Sequence, residues 1–327
     1  MAAKTTQEPR QMPRRFVLLA AVATLLTAAS LLSVRGEDQA PSAAPATAAP
    51  AAATPAAAAP AAAPPAAAVA PAPPADCPSD KFRVVIDVGH AIDAPGALSA
   101  RGMTEYAFNL QLAQNIKQAL LDAGFAKTEL LITNKKPPLG LFARVEAANR
   151  MTADLFLSIH HDSVPDNLTK TWQYNGEDQG YNDDYPGYAI FISKDNADPK
   201  GSLEFAHLLG KALRARGLQF TSHYTLKLMG SHRRELLDAD AGVYRFDQLV
   251  VLRHTRMPAA LLEAGSIVNR QEELELATPE RRAATSAAVV AAVGEFCAGR
   301  AHPKTDAVAK RPASPHAAAP RANARAR

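Results

Sequence analysis

The sequence of 327 residues has only two cysteines and one tryptophan. Two cysteines are too few for a disulfide-scaffold protein or for a four-cysteine zinc module. A basic folded region is also missing, because residues 76–300 carry 25 Lys and Arg against 28 Asp and Glu. The formal net charge of +4 comes instead from residues 1–38 and 301–327, whose charges are +2 and +5. No nucleic acid partner is therefore expected, since nucleic-acid-binding domains cluster basic residues on their folded surface.

Residues 16–34 form an apolar run of 19 residues without a charged side chain. A helix of this length would measure about 28 Å, enough to cross the core of a bilayer. We interpret residues 1–38 as a signal anchor or a signal peptide, and we favour the anchor because no small-x-small cleavage site stands clearly at the end. Arg14 and Arg15 also resemble a twin-arginine signal, but two ordinary flanking arginines explain them more simply. With either interpretation the rest of the chain is extracytoplasmic, anchored to the inner membrane or released from it.

Residues 39–75 carry no charge and consist almost entirely of alanine and proline. The frequent prolines prevent alanine from propagating a helix, so we expect a disordered, semi-rigid spacer. Residues 301–327 repeat this composition with added basic side chains. We expect a disordered tail there, with weak binding to an anionic polymer or lipid surface as the alternative. Residues 76–300 remain as one domain, which is large enough for a full hydrophobic core.

Cys77 and Cys297 lie at the two edges of this domain. In an oxidising compartment we expect them to form a disulfide that joins the ends of the domain. The alternative is a pair of unrelated thiols.

Strands and helices alternate along residues 76–300. Short apolar runs predict six strands, at 82–87, 129–133, 154–160, 188–193, 248–252 and 259–263. Helical periodicity predicts helices at 105–123, 141–150, 202–216 and 279–296. The alternation indicates an α/β fold in a single domain, with a mostly parallel or mixed six-stranded sheet and helices on both faces. Ligands of such sheets bind beyond the carboxyl ends of the strands.

Polar residues stand at three of these strand ends, namely His90, His160 and Glu263, and Glu105 opens the first helix. An imidazole that follows an apolar strand needs a hydrogen bond or a metal, because burying it without a partner is costly. Two histidines and two carboxylates in such positions indicate a converging cluster. Histidine and carboxylate ligands without a nearby cysteine suit zinc in an open catalytic site. The spacing alone does not establish the site, since these residues form no compact motif.

Three blocks of sequence are distinctive: V-V-I-D-V-G-H, S-I-H-H-D-S and P-A-A-L-L-E-A-G-S-I-V-N. The first precedes the helix that Glu105 opens, and the last two are specific in combination. In their order and spacing, across about residues 83–295, the blocks resemble the zinc-dependent N-acetylmuramoyl-L-alanine amidases.

This resemblance implies zinc-dependent hydrolysis of the amide bond between N-acetylmuramic acid and L-alanine in peptidoglycan, as part of cell-wall remodelling. It implies that His90, Glu105 and His160 hold one Zn²⁺ ion and that Glu263 is the catalytic carboxylate. Peptidoglycan would be the partner and the bacterial periplasm the location, with a protein activator as a further candidate partner.

The sequence departs from the family pattern at a few positions. Ala91 and Ile92 replace the usual pair of glycines, and His161 follows His160 where a small residue is usual. These changes affect loop shape and substrate contacts but leave the metal set intact. Side chains alternate along a strand, so we expect His161 to point away from His160 and to support a ligand or lie at the surface. The alternative is that His161 replaces His160 as the metal ligand.

Two inserted stretches flank the predicted strands. Residues 164–186 contain Trp172 and three tyrosines, which could form a lid over the substrate or simply pack against one another. Residues 223–244 contain basic and acidic side chains that could contact anionic groups of the substrate, although we favour a solvated surface.

Three functions fit these residues. We favour the zinc amidase. A zinc peptidase that acts on the stem peptide would use the same chemistry on a different bond. A non-catalytic peptidoglycan-binding protein on the same fold is disfavoured, because none of the four site residues is lost.

Overall fold

The computed structural model describes residues 73–301 of the chain. The strands are β1 Arg83–Val88, β2 Lys127–Leu131, β3 Leu155–Asp162, β4 Lys170–Tyr174, β5 Glu177–Tyr181, β6 Ala189–Ile192, β7 Leu236–Asp238, β8 Val243–Arg245 and β9 Ala259–Ser266. The α-helices are α1 Glu105–Asp122, α2 Leu139–Met151, α3 Pro199–Arg214, α4 Val250–Arg253, α5 Glu272–Leu276 and α6 Pro279–Ala301. Short 3₁₀ turns lie at Asp166–Leu168, His223–Thr225 and Lys227–His232.

Seven of the strands form one sheet in the order β2-β1-β3-β9-β6-β8-β7, and β4 and β5 form a separate antiparallel hairpin. The strands from β2 to β9 in this order are parallel, as are β6 and β8. Strand β6 runs antiparallel to β9, and β7 runs antiparallel to β8. The predicted α/β fold with a mixed sheet is confirmed, but the sheet has seven strands rather than six.

The strand predicted at 248–252 is wrong, because that run forms the single helical turn α4. A short apolar run fits a strand and a buried helical turn equally well, so its pattern cannot separate them. Val251 and Leu252 are buried beneath α2, on the face of the sheet that α2 covers. Strands β7 and β8 have three residues each and are too short to show a periodic pattern.

Each face of the sheet is covered by helices, as predicted. Along β1, Val84, Ile86 and Val88 pack in the cluster that includes α1, α3 and α6. Val85 points the other way, into the cluster that includes α2 and α4. Because β1 and β3 are buried on both faces, their sequences are mostly continuous apolar runs, Val84–Ile86 and Leu155–Leu157, instead of alternating patterns.

The predicted disulfide between Cys77 and Cys297 is confirmed, with a sequence separation of 220 residues. It joins the segment before β1 to helix α6, and both cysteines are buried.

Within residues 73–301, no helix is both long enough and apolar enough to cross a membrane. The predicted signal segment at 1–38, nearly all of the spacer and the basic tail lie outside the described residues.

Candidate metal centre

The sheet brings the predicted residues to one place. Strands β1, β3 and β9 are neighbours, and their register puts His160 directly opposite Glu263. His90 lies just beyond the end of β1 with a φ of 64°, a left-handed conformation that is uncommon for a residue with a side chain. Thr104 caps the start of helix α1, where its side chain accepts a hydrogen bond from the backbone N–H of Ala107, and Glu105 is the first residue of the helix.

Glu105 links the two histidines. Its Oε2 atom lies 2.9 Å from His90 Nε2, and its Oε1 atom lies 2.9 Å from His160 Nδ1. The three residues each offer one ligand atom, and these atoms all lie within 4.8 Å of one another. The predicted set of His90, Glu105 and His160 therefore converges on one point.

Two glycines leave space for these rings. A Cβ atom at Gly89 would lie 2.4 Å from His160 Nε2, and one at Gly96 would lie 2.4 Å from Glu105 Oε2 and 2.8 Å from His90 Nε2. Real Cβ atoms do not approach other atoms so closely, and Gly96 also has a positive φ of 81°. The close approach of the backbone to the three side chains thus requires glycine at both positions.

The carboxyl of Glu105 is held in its ionised form. Burial by itself would raise the pKa of Glu105, but hydrogen bonds from His160 and His90 and the charges of both rings outweigh burial and lower it well below its usual range. A cation requires its carboxylate ligand to be ionised, and Glu105 meets that condition.

Glu263 is in the opposite electrostatic situation. Burial raises its pKa well above the usual value, and the nearby carboxylates of Asp162 and Glu105 raise it further. Its Oε2 atom is shielded from solvent and has no hydrogen-bond partner among the described residues. A carboxyl with a raised pKa accepts a proton readily and can later return it.

A cavity of about 240 Å³, which we call the polar cavity, adjoins these side chains. All four predicted residues line it. Its other lining residues include Asp162 and Val164, which follow His160, and Tyr224, Met229 and His232 from the 3₁₀ turns. The four residues thus share one open space large enough to admit part of a substrate.

His161 is buried rather than exposed. Its ring packs 5.4 Å from that of Phe108, and burial lowers its pKa to about 3, so it is neutral at ordinary pH. Its Nδ1 atom lies 2.8 Å from Oδ1 of Asn109, whose Nδ2 donates to Glu105 Oε1 and to the carbonyl of Gly89. The surface position considered for His161 is therefore wrong, whereas a role in supporting a ligand agrees with these contacts.

Arg144 was not predicted as part of the site. From α2 it donates to Asp87 Oδ1 at 2.6 Å and to the carbonyls of Val88 and His90. These bonds hold the left-handed turn at His90 in place. The signal in the sequence was an arginine on the buried stripe of a helix, between Gly140 and Ala148.

A buried cluster near Glu263, formed by Asp162, Tyr224 and His223, was also not predicted. Asp162 accepts a hydrogen bond from the Tyr224 hydroxyl at 2.7 Å, and its Oδ2 atom faces His223 Nε2 at 3.7 Å. Burial raises the pKa of Asp162 to about 7 and lowers that of His223 to about 4. Of these residues, only Asp162 could have been found from the sequence. It stands two residues beyond His160 on the same strand, and side chains two positions apart point to the same face.

The aromatic insertion forms the β4–β5 hairpin. Trp172 stacks on Tyr174 at 5.3 Å and donates from Nε1 to the carbonyl of Ala100 at 2.8 Å. Arg270 lies 3.9 Å from the Tyr181 ring centroid and 5.1 Å from that of Trp172. These contacts indicate that the rings pack against one another and against the protein. They do not favour the alternative, in which the rings form a lid over the substrate.

The second insertion, at 223–244, lies partly beside the polar cavity. His232 lines the polar cavity, whereas Arg233 and Arg234 bond to backbone carbonyls of their own segment. Arg234 also lies 4.0 Å from the centroid of the Phe246 ring.

Comparisons with known proteins identify the family of the chain. A family model described as N-acetylmuramoyl-L-alanine amidase matches residues 84–295. The chain is 26% identical over 235 residues to N-acetylmuramoyl-L-alanine amidase AmiA of Escherichia coli (strain K12), which covers 68% of this chain and 78% of that protein. It is 25% identical over 223 residues to AmiA of Salmonella typhimurium, covering 64% of this chain and 74% of that protein.

The fold is similar to solved amidase structures. The apo form of the N-acetylmuramyl-L-alanine amidase Ami1 from Mycobacterium abscessus superposes with a TM-score of 0.51 at 21% identity, covering 66% of this chain and 98% of that one. Ami1 from Mycobacterium smegmatis gives a TM-score of 0.50 at 18% identity, covering 66% and 97%. The family match spans most of the chain and nearly all of the described domain. The chain therefore belongs to the N-acetylmuramoyl-L-alanine amidase family, and it is an amidohydrolase that cleaves the amide bond between N-acetylmuramic acid and L-alanine in peptidoglycan.

Proposed function

We propose that His90, Glu105 and His160 bind one Zn²⁺ ion and that Glu263 is the catalytic carboxylate. The observation that carries the proposal is the convergence of the three ligand atoms within 4.8 Å, with Glu263 opposite His160 on the next strand. Two imidazoles and one carboxylate form a donor set that zinc enzymes use, with a further position open for water or substrate. The backbone at Gly89 and Gly96 leaves room for the rings only because both residues lack a Cβ atom.

When bound, zinc supplies Lewis acidity that activates the scissile carbonyl and the attacking water. Glu263 accepts the proton of that water, for which its raised pKa suits it, and then donates the proton to the leaving amine of L-alanine. His161 stays neutral and, through Asn109, holds Glu105 in position. Arg144 holds the turn that carries His90. No covalent nucleophile is needed, and both cysteines are occupied in the disulfide.

The rest of the chain delivers this domain to its substrate. We propose that residues 1–38 export the chain and anchor it if they are not cleaved, and that residues 39–75 are a spacer. Fully extended as polyproline II, 36 residues of the spacer would reach about 110 Å. Residues 76–300 are the catalytic domain, which would act outside the cytoplasm on the cell wall. Residues 301–327 form a basic tail.

Digestion of purified peptidoglycan by the full chain tests the proposal. After treatment with a chelator the chain should release no product, and added zinc should restore release. Mass spectrometry should detect free stem peptides that begin with L-alanine, together with intact glycan strands. Peptides that lack L-alanine would indicate a peptidase, and release that persists in the zinc-stripped chain would contradict the metal site.

A further inference from the structure

A second cavity meets the candidate metal centre. It has a volume of about 230 Å³, and we call it the apolar cavity. Most of its wall is apolar and comes from the loop after β1, helix α2 and the turn before it, the start of α4, and β9. The apolar lining residues are Ala91, Pro137, Leu141, Leu249, Val251 and Leu261. Its position beside the histidines makes it a candidate for binding part of the substrate.

The two cavities share the histidines but not the carboxylates. Of the residues that the structure describes, His90 and His160 line both cavities, whereas Glu105 and Glu263 line only the polar one. A substrate group that reacts between the histidines can thus extend into either space.

The proton path decides which side of the amide enters which cavity. The leaving nitrogen must come within hydrogen-bond reach of Glu263 to receive its proton, which is about 3 Å. The L-alanine side therefore extends into the polar cavity. The acyl substituent is attached to the other side of the same carbon, so the apolar cavity is the space that remains for it.

The chemistry of the wall agrees with this orientation. The polar lining residues Asp87, Arg144 and Ser158 already have hydrogen-bond partners, since Arg144 and Ser158 both donate to Asp87. A ligand therefore meets mainly hydrocarbon, which suits methyl groups. The acyl side of the substrate carries two of them, on the lactyl arm and on the N-acetyl group. Lys135 is exposed at the rim, where its ammonium can donate to a sugar oxygen.

We propose that the apolar cavity is the acyl-side subsite and binds the lactyl arm and N-acetyl group of N-acetylmuramic acid. The proposal rests on the role assigned above to Glu263. At about 230 Å³ the cavity is smaller than an ordinary ligand pocket, so it holds part of one sugar unit while the neighbouring glycan stays outside.

Binding measurements with the Glu263→Gln full chain test the subsite without turnover. In that background, Leu141→Trp and Leu249→Trp each replace a leucine in the wall of the cavity by a larger, aromatic side chain. We expect either change to weaken binding of N-acetylmuramic acid by at least about tenfold in calorimetry. Binding of the dipeptide L-alanyl-D-isoglutamine should change less than about twofold. The matched control is Leu139→Trp, because Leu139 lies on the same helix, is 72% exposed and does not line the cavity.

A second measurement does not depend on whether the tryptophan variants fold. In the Glu263→Gln chain, N-acetylmuramic acid should shift the methyl NMR signals of Leu141, Val251 and Leu261, and the dipeptide should not. Unshifted methyls would overturn the proposal, as would a loss of dipeptide binding that equals or exceeds the loss of N-acetylmuramic acid binding. Failure of the role proposed for Glu263 would appear separately, as cleavage of peptidoglycan by the Glu263→Gln chain, and would leave these binding readouts unchanged.

Discussion

At the residue scale, two buried carboxyls in one site have opposite electrostatic environments. Hydrogen bonds and positive charge lower the pKa of Glu105, whereas burial and negative charge raise the pKa of Glu263. Such a divergence separates a carboxylate that holds a cation from one that moves a proton. The assignment of roles thus follows from the neighbours of each group and not from its residue type.

Asn109 should affect zinc affinity without touching the metal. It is fully buried and joins His161 to Glu105, so its loss frees the ligand carboxylate to move. We expect Asn109→Ala to weaken zinc binding by about 10- to 100-fold, measured by competition with a chromophoric chelator. Asn149→Ala is the control, because the Asn149 side chain bonds to the backbone of His254 and Arg256, after α4, and not to a site residue. Equal affinities for the two variants would refute this support role.

His223 should make the protein sensitive to acid. Burial lowers its pKa to about 4, so the folded state binds fewer protons than the unfolded state, in which the value is about 6.5. This difference therefore has no effect on stability above pH 6.5 and destabilises the folded state increasingly as the pH falls towards 4. In urea unfolding, His223→Gln should reduce the drop in stability between pH 7 and pH 4.5 by about 2 kcal/mol. Replacing the exposed His254 in the same way should leave the drop unchanged, and an unchanged drop in His223→Gln would count against the assignment.

The residues that could be predicted from the sequence are those that end an apolar strand or open a helix. His90, His160, Glu105 and Glu263 all stand at such points, where a polar side chain is conspicuous. Tyr224 and His223 could not be predicted, because they reach the site from a short 3₁₀ turn that has no periodic pattern.

At the element scale, the β4–β5 hairpin depends on Arg270. This arginine donates to Asp183 through both Nε and Nη2 and lies over the Tyr181 ring. The ion pair is partly exposed, so its contribution is modest, and the ring contact adds a similar amount.

Removal of this arginine should loosen the hairpin locally. Arg270→Ala should lower the free energy of unfolding only slightly and should accelerate amide hydrogen exchange in residues 170–181 more than elsewhere. Arg253→Ala is the matched control, since Arg253 is exposed and its carboxylate partner lies 3.6 Å away. Exchange rates that stay the same throughout the hairpin would show that other contacts hold it.

Elements with a long periodic pattern were predicted well, and short ones were not. Helix α1 was expected at 105–123 and is found at Glu105–Asp122, because its apolar face repeats over several turns and Gly124 follows it. The run at 248–252 contains too few residues to separate a strand from a helical turn, and its burial against α2 decides the outcome.

At the scale of the whole molecule, one covalent link closes the domain. The disulfide between Cys77 and Cys297 encloses a loop of 220 residues, and a cross-link of that length restricts the unfolded chain by up to about 5 kcal/mol in the chain-entropy model. The expected pairing needed only the positions of the two cysteines and an oxidising location.

Loss of this link should destabilise the domain but preserve its site, because the metal centre lies at the other end of the strands. We expect the Cys77→Ala, Cys297→Ala double variant to unfold at lower urea concentration while it retains one equivalent of zinc. The unaltered protein in its reduced form controls for side-chain packing, because it keeps both sulfur atoms but lacks the link between them. A double variant as stable as the oxidised protein would show that the disulfide contributes nothing.

The central claim concerns the whole site: three residues hold zinc, and Glu263 moves the proton. The most direct test compares Glu263→Gln with Glu105→Gln in the full chain, measuring zinc content and peptidoglycan cleavage on the same samples. Glu263→Gln should keep one zinc per chain and lose at least about 100-fold in cleavage rate, whereas Glu105→Gln should lose both zinc and activity. Cleavage by Glu263→Gln at a rate close to that of the unaltered protein would contradict the account.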